Sequence, residues 1–181
     1  MARRYKFFQP NETYFITFSI FGRRNVFVEE KYFKLVYKWF DYIGEKYGNK
    51  IRAYVIMPNH LHALIYISAQ SPQFPVLIMN AKRFMAYEIV EYLKSDNKRD
   101  LLDFFALNAR TADRAKHRVF SDRYDSLIIQ SEKLYLQKLN YIHFNPLQEH
   151  WQLVKNPEDY LHSSAANYIS GSGTYPVEVI L

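Results

Sequence analysis

From Tyr54 to Ile65 the chain reads Tyr-Val-Ile-Met-Pro-Asn-His-Leu-His-Ala-Leu-Ile, two apolar runs on either side of Pro58-Asn59. Proline pre-sets the first position of a tight turn and asparagine tolerates the second, so the segment is predicted to be a β-hairpin with strands over 51–57 and 60–67. Side chains alternate faces along a strand. His60 and His62 therefore point the same way, with Leu61 turned to the opposite face. Two imidazoles side by side on a rigid strand form half of a metal site.

Around this hairpin the periodicity yields a short series of elements. Residues 13–21 read as a first strand. Residues 29–47 read as a helix in which Phe33, Val36, Phe40 and Ile43 recur every three or four positions, and Gly48-Asn49 stops it. Ser68 to Pro75 reads as a loop and about 77–94 as a second helix. Residues 95–117 are mixed and basic, part helix and part loop. A further strand lies within 118–129. Ser131 is a good N-cap, with Glu132 at the positive end of a helix that runs to about Asn145, where Pro146 ends it. The order strand, helix, strand, strand, helix, strand, helix points to an α+β fold. Its first six elements are those of a ferredoxin-like (RRM-like) antiparallel sheet with helices packed on it, the His pair on an inner strand. No repeat, low-complexity tract or linker divides the 181 residues, so one domain is expected, with 147–181 as an irregular tail packed down by a Trp and several Tyr.

Charge is unevenly placed. Before position 146 there are 23 basic and 14 acidic residues, a net +9, whereas the rest holds only Lys155 against Glu149, Glu158, Asp159 and Glu178. A basic body suits a polyanionic partner, nucleic acid being the commonest. The expected contacts are Arg23 and Arg24 after the first strand, Lys82 and Arg83 on the second helix, and a cluster of Arg110, Arg114, Lys116, His117, Arg118 and Arg123. Exposed aromatics could stack on unpaired bases. Cysteine is absent, which excludes disulfides and thiolate metal sites. Tyr14 to Ile20 alternates with Thr and Ser, as a strand does and a signal peptide does not. No stretch approaches a membrane span, so a cytoplasmic location is expected.

The last helix supplies further chemistry. Tyr141 and Asn145 are four apart and share a face, with Gln137 one turn earlier. Tyr135, Leu139 and Ile142 form another stripe, better suited to packing. Tyr141 is then placed to present its phenol, and Asn145 offers a neutral amide oxygen, an acceptable metal ligand. A tyrosine beside a metal can attack a phosphodiester covalently.

These residues stand in blocks that resemble the REP-associated tyrosine transposases, a branch of the single-tyrosine HUH transposases (IS200-like). His60-Leu61-His62 fits the His-hydrophobe-His signature. The similarity runs through Thr17 to Phe27 with Gly22-Arg23-Arg24, Met57 to His62, Val119 to Asp125, Leu139 to Pro146, Pro157 to Tyr160, and Ser163-Ser164-Ala165. Phe120 replaces a Trp common in relatives, and Gln152 stands where relatives often have Gly before Leu-Val. The resemblance implies a ferredoxin-like sheet with the His pair on a central strand and Tyr141 as nucleophile on a late helix. It implies that Asn145 completes the metal site with His60 and His62, and that the divalent ion is Mg or Mn. Imidazoles alone would favour zinc or another late transition metal. It also implies a DNA transposition and recombination enzyme, an endonuclease that cleaves and rejoins single-stranded or hairpin (REP-type) DNA through a 5′-phosphotyrosine. A metal-dependent nuclease using water, and a non-enzymatic single-stranded nucleic-acid binding protein, remain open alternatives, as does monomer against homodimer.

Overall fold

The computed structural model describes residues 9–109 and 115–180. Four strands, β1 (Glu12–Ile20), β2 (Lys50–Met57), β3 (His60–Ile67) and β4 (Phe120–Ile128), form an antiparallel sheet in the order β2-β3-β1-β4. This is the predicted ferredoxin-like order, and it puts β3 with its two histidines in the interior of the sheet. The helices are α1 (Glu30–Tyr47), α2 (Phe74–Ser95), α3 (Arg99–Leu107), α4 (Glu132–His143) and the short α5 (Ala165–Ile169).

Alternation divides the sheet residues between two layers. Tyr14, Ile16, Phe18 and Ile20 of β1, with Leu61, Ala63, Ile65 and Ile67 of β3, pack under the apolar faces of α1 and α2. Phe15, Val55, Met57 and Leu64 project from the other face and meet Tyr135, Leu139 and Ile142 of α4. The predicted packing stripe of that helix is thus the buried one. The side chains of His60 and His62 belong to this second face, beside the end of α4.

Local signals explain most element ends. Gly48 adopts a left-handed conformation (φ 68) and donates to Gly44 O at 2.8 Å while Asn49 N reaches Ile43 O, closing α1. Ser131 Oγ accepts from Leu134 N at 3.2 Å and caps α4. Two boundaries differ from the sequence reading. α2 begins at Phe74 rather than 77, because Pro75 fits a first helical turn, where its missing N–H is no loss. α4 ends at His143, two residues before Asn145, which instead opens a 3-10 turn, Asn145–Leu147. Pro146 disfavours α geometry in the residue before it, and the chain tightens there.

The segment after Pro146 folds back on the sheet. It contains the 3-10 turn Pro157–Asp159 and α5. Its backbone joins the outer edge of β2 through Ile56 N to His162 O, Ser164 N to Tyr54 O, and Glu178 N to Ile51 O. An exposed strand edge is thereby covered. Gln152 takes the left-handed conformation (φ 45) that a glycine would adopt without strain. Among the described residues no helix is long and apolar enough to cross a membrane.

Candidate active site

The site is built on the hairpin turn. Asn59 directs its amide unambiguously: Nδ2 donates to Arg23 O at 3.1 Å, so Oδ1 is the acceptor for His60 Nδ1 at 2.7 Å. His60 must therefore carry its proton on Nδ1, which leaves Nε2 with a bare lone pair. Thr17 lies directly across from His62 in the β1–β3 register, and its Oγ1 is 2.6 Å from His62 Nδ1. A proton on that nitrogen leaves His62 Nε2 bare in the same way. The two rings sit 4.7 Å apart between centroids.

Burial keeps both rings neutral. It pushes His60 down to about 4, helped by the positive charge of Arg23, and holds His62 well below the ordinary range, with His60 and Arg23 adding to the effect. Neutral imidazole is the form that binds metal. Asn145 faces His60 closely enough to favour its protonated form slightly. Yet Asn145 Oδ1, like His62 Nε2, is buried with no hydrogen-bond partner. Each such orphan costs about 1–3 kcal/mol. One cation accepting both lone pairs would relieve both costs. Among the described residues no group of three His, Asp or Glu is placed to hold a metal, and the unpartnered oxygen of Asn145 lies in the same cleft as the His pair. The donor set fits a divalent cation held by His60, His62 and Asn145.

Tyr141 stands beside this pair. Its ring centroid is 5.0 Å from that of His62 and 5.9 Å from that of Phe15, and 43% of the residue is exposed. Lys138, one turn earlier, places its ammonium 4.7 Å from the Phe15 ring and 5.7 Å from the Tyr141 ring. Tyr141, His60, His62 and Asn145 line one cleft of about 360 Å³ with Thr17, Arg23, Asn59, Gln148, His150 and Trp151. The sequence reading missed Thr17, Asn59, Lys138 and the wall formed by Gln148, His150 and Trp151. For Thr17 a signal existed: it interrupts the apolar character of a strand at the register position facing His62.

The basic residues separate into distinct environments. Arg23 lines the cleft and, with Thr17, also lines an adjoining one of about 410 Å³ that contains Arg118 and Arg123. Arg118 is already engaged: its guanidinium lies 4.1 Å from the Phe21 ring centroid and pairs with Asp122 at 2.7 Å. Arg24 stacks on Phe104 at 4.1 Å. Lys82 is turned inward, donating to the carbonyls of Ser121, Asp122 and Arg123 at 2.8, 3.3 and 3.1 Å, and burial pushes it down to about 8. Those carbonyls belong to a bulge in β4, where Phe18 and Ile20 of β1 pair with Tyr124 and Phe120. Arg83 is exposed on α2, in the layer on the far side of the sheet from the histidines. Lys116 is exposed and His117 half-buried between α3 and β4, and neither lines the two clefts. Arg110 and Arg114 lie outside the described residues.

Comparison with solved structures bears on the architecture. A REP-associated tyrosine transposase bound to a REP hairpin superposes with a TM-score of 0.67 at 17% identity, covering 100% of this chain and 99% of that one. The two share one fold. A candidate transposase from Deinococcus radiodurans R1 aligns at 18% identity over 78% of this chain and 95% of its own, with a TM-score of 0.48. No family model matches the chain, and no curated protein does.

The buried histidines predict an acid-sensitive fold. His60 and His143 are both pushed down to about 4 in the folded protein from an ordinary 6.5, chiefly by burial. The unfolded chain therefore binds more protons between those values, and stability falls as pH drops through that window. Each contributes about 3 kcal/mol that is fully present above pH 6.5 and lost towards pH 4. Urea unfolding midpoints measured from pH 7 to 4 should fall steeply below 6.5. A flat profile would contradict this burial.

Proposed function

We propose that this chain is a tyrosine HUH transposase that cleaves and rejoins single-stranded DNA beside a hairpin. The carrying observation is one cleft in which the half-exposed phenol of Tyr141 lies against His62, while His62 Nε2 and Asn145 Oδ1 are buried without partners. The shared fold with a transposase bound to a REP hairpin supports hairpin DNA as the partner class. The expected cation is Mg or Mn, and it would supply charge neutralisation at a non-bridging oxygen of the scissile phosphate.

The residues themselves account for the remaining steps. Tyr141 Oη attacks phosphorus and the bond from phosphorus to the 3′ oxygen breaks. The phenol proton is balanced by protonation of that departing oxygen. A 5′-phosphotyrosine and a free 3′-hydroxyl result, one phosphoester having replaced another. Attack by a second 3′-hydroxyl reverses the step and rejoins the strand. Arg23, in the same cleft, offsets phosphate charge. Tyr141 and the histidine pair face one another within a single chain, which supports action in cis by a monomer.

End-labelled hairpin DNA with unpaired flanks, incubated with Mg²⁺ or Mn²⁺ and run on a denaturing gel, tests the reading. A metal-dependent covalent adduct is expected. Cleavage without an adduct would point to a water-using nuclease. Binding on a native gel without cleavage in any metal would point to a binding module.

A further inference from the structure

The Pro58-Asn59 turn holds more than the two strands it joins. Pro58 O accepts from both Val26 N and Phe27 N at 2.9 Å, and Asn59 O accepts from Ile20 N at 2.8 Å. Both ends of the segment that leaves β1 are therefore tied to this turn. Between those ties, Gly22 and Arg23 are both left-handed, with φ of 63 and 55. Gly22 meets the conformation freely, and a Cβ there would come within 2.6 Å of Phe104. Arg23 carries a side chain into a conformation that L-residues resist, so something must hold it.

The holder is the Asn59 carboxamide, whose Nδ2 donates to Arg23 O while its Oδ1 accepts from His60 Nδ1. A carboxamide offers one donor arm and one acceptor arm on a short stem. Both arms are used, each toward a residue that lines the cleft. We infer that Asn59 is a positioning residue that fixes the bare Nε2 of His60 relative to the left-handed backbone from which the Arg23 side chain enters the cleft. The roles of those two groups rest on the proposed function; the coupling through Asn59 does not. The cation and the arginine would act on the same phosphate, and this one side chain ties the ring that would hold the cation to the backbone that carries the arginine.

Two substitutions separate the arms. Asn59→Asp keeps an acceptor for His60 but has no donor for the Arg23 carbonyl. Asn59→Leu removes both. Three readouts follow. Nitrogen-15 NMR of metal-free protein should find His60 as the Nδ1–H tautomer in wild type and Asn59→Asp, and as a tautomer mixture in Asn59→Leu. Mn²⁺ titration should show affinity about 10–100-fold weaker in Asn59→Leu and no weaker in Asn59→Asp. Hairpin DNA binding in EDTA should weaken about tenfold on Arg23→Gln in wild type, and less than about threefold in either Asn59 background.

An unchanged tautomer and Mn²⁺ affinity in Asn59→Leu, or equal damage from Arg23→Gln in all three backgrounds, would overturn the inference. Should Asn59→Leu fail to fold, Asn59→Asp alone decides it: the coupling to Arg23 must vanish while the tautomer persists. Wild-type protein that takes up no Mn²⁺ would sink the metal reading instead, and the tautomer and Arg23 measurements would still judge Asn59.

Discussion

Replacing Tyr141 with Phe should abolish the covalent protein–DNA adduct and slow strand cleavage by at least about 10⁴-fold, the scale seen when an enzyme loses its nucleophile. The argument is one of subtraction. The ring makes its contacts with Phe15 and His62 through its aromatic body, and phenylalanine keeps those. Only the hydroxyl is lost. Because the residue is half-exposed, stability should change by no more than about 0.5 kcal/mol. Hairpin affinity should persist as well, since Arg23 and the neighbouring cleft are untouched. Cleavage rate, adduct yield, thermal unfolding and DNA binding on the same preparation check all four expectations together. Cleavage that survives the substitution would transfer the nucleophile's role to water.

The hairpin and the packing of α4 were legible in the sequence because both follow from local rules. Pro58-Asn59 names its own turn, and alternation from His60 onward assigns each face. The stripe Tyr135, Leu139 and Ile142 repeats at helical spacing and is buried as such. Asn145 shows where local rules end. Helical spacing put it on the Tyr141 face, and it does line the same cleft, but from a 3-10 turn that Pro146 imposes. The groups that orient the histidines were hidden for a different reason. Thr17 and His62 are 45 positions apart and meet only through strand pairing.

The basic residues make the same point more sharply. A count of charges treats Arg23 and Arg24 alike, yet one lines the cleft and the next stacks on Phe104. Backbone at Gly22 and Arg23 is left-handed, and the two side chains part there, Arg24 to Phe104 of α3 and Arg23 to the cleft beside the histidines. Lys82 illustrates the opposite outcome, a cation taken inward to satisfy a bulge in β4. Local sequence gives the inventory of charges. Tertiary structure decides which remain available to a phosphate.

The buried polar atoms of the site imply a second large effect, one that sets stability against function. His62 Nε2 has no partner, so His62 is a liability to the metal-free fold worth about 1–3 kcal/mol. His62→Leu removes that liability, at the cost of about 1 kcal/mol for the lost contact with Thr17. The metal-free variant should therefore be as stable as wild type or more so. Cation binding reverses the comparison. At one hundred times its dissociation constant, Mn²⁺ should stabilise wild type by about 2.7 kcal/mol, roughly 5–10 °C in Tm for a chain of this size. His62→Leu should show no such rise and no cleavage. Thermal unfolding of both proteins in EDTA and in excess Mn²⁺ gives the four values required. A wild type indifferent to Mn²⁺, or a leucine variant much less stable in EDTA, would mean that His62 serves the fold and that its bare nitrogen awaits no cation.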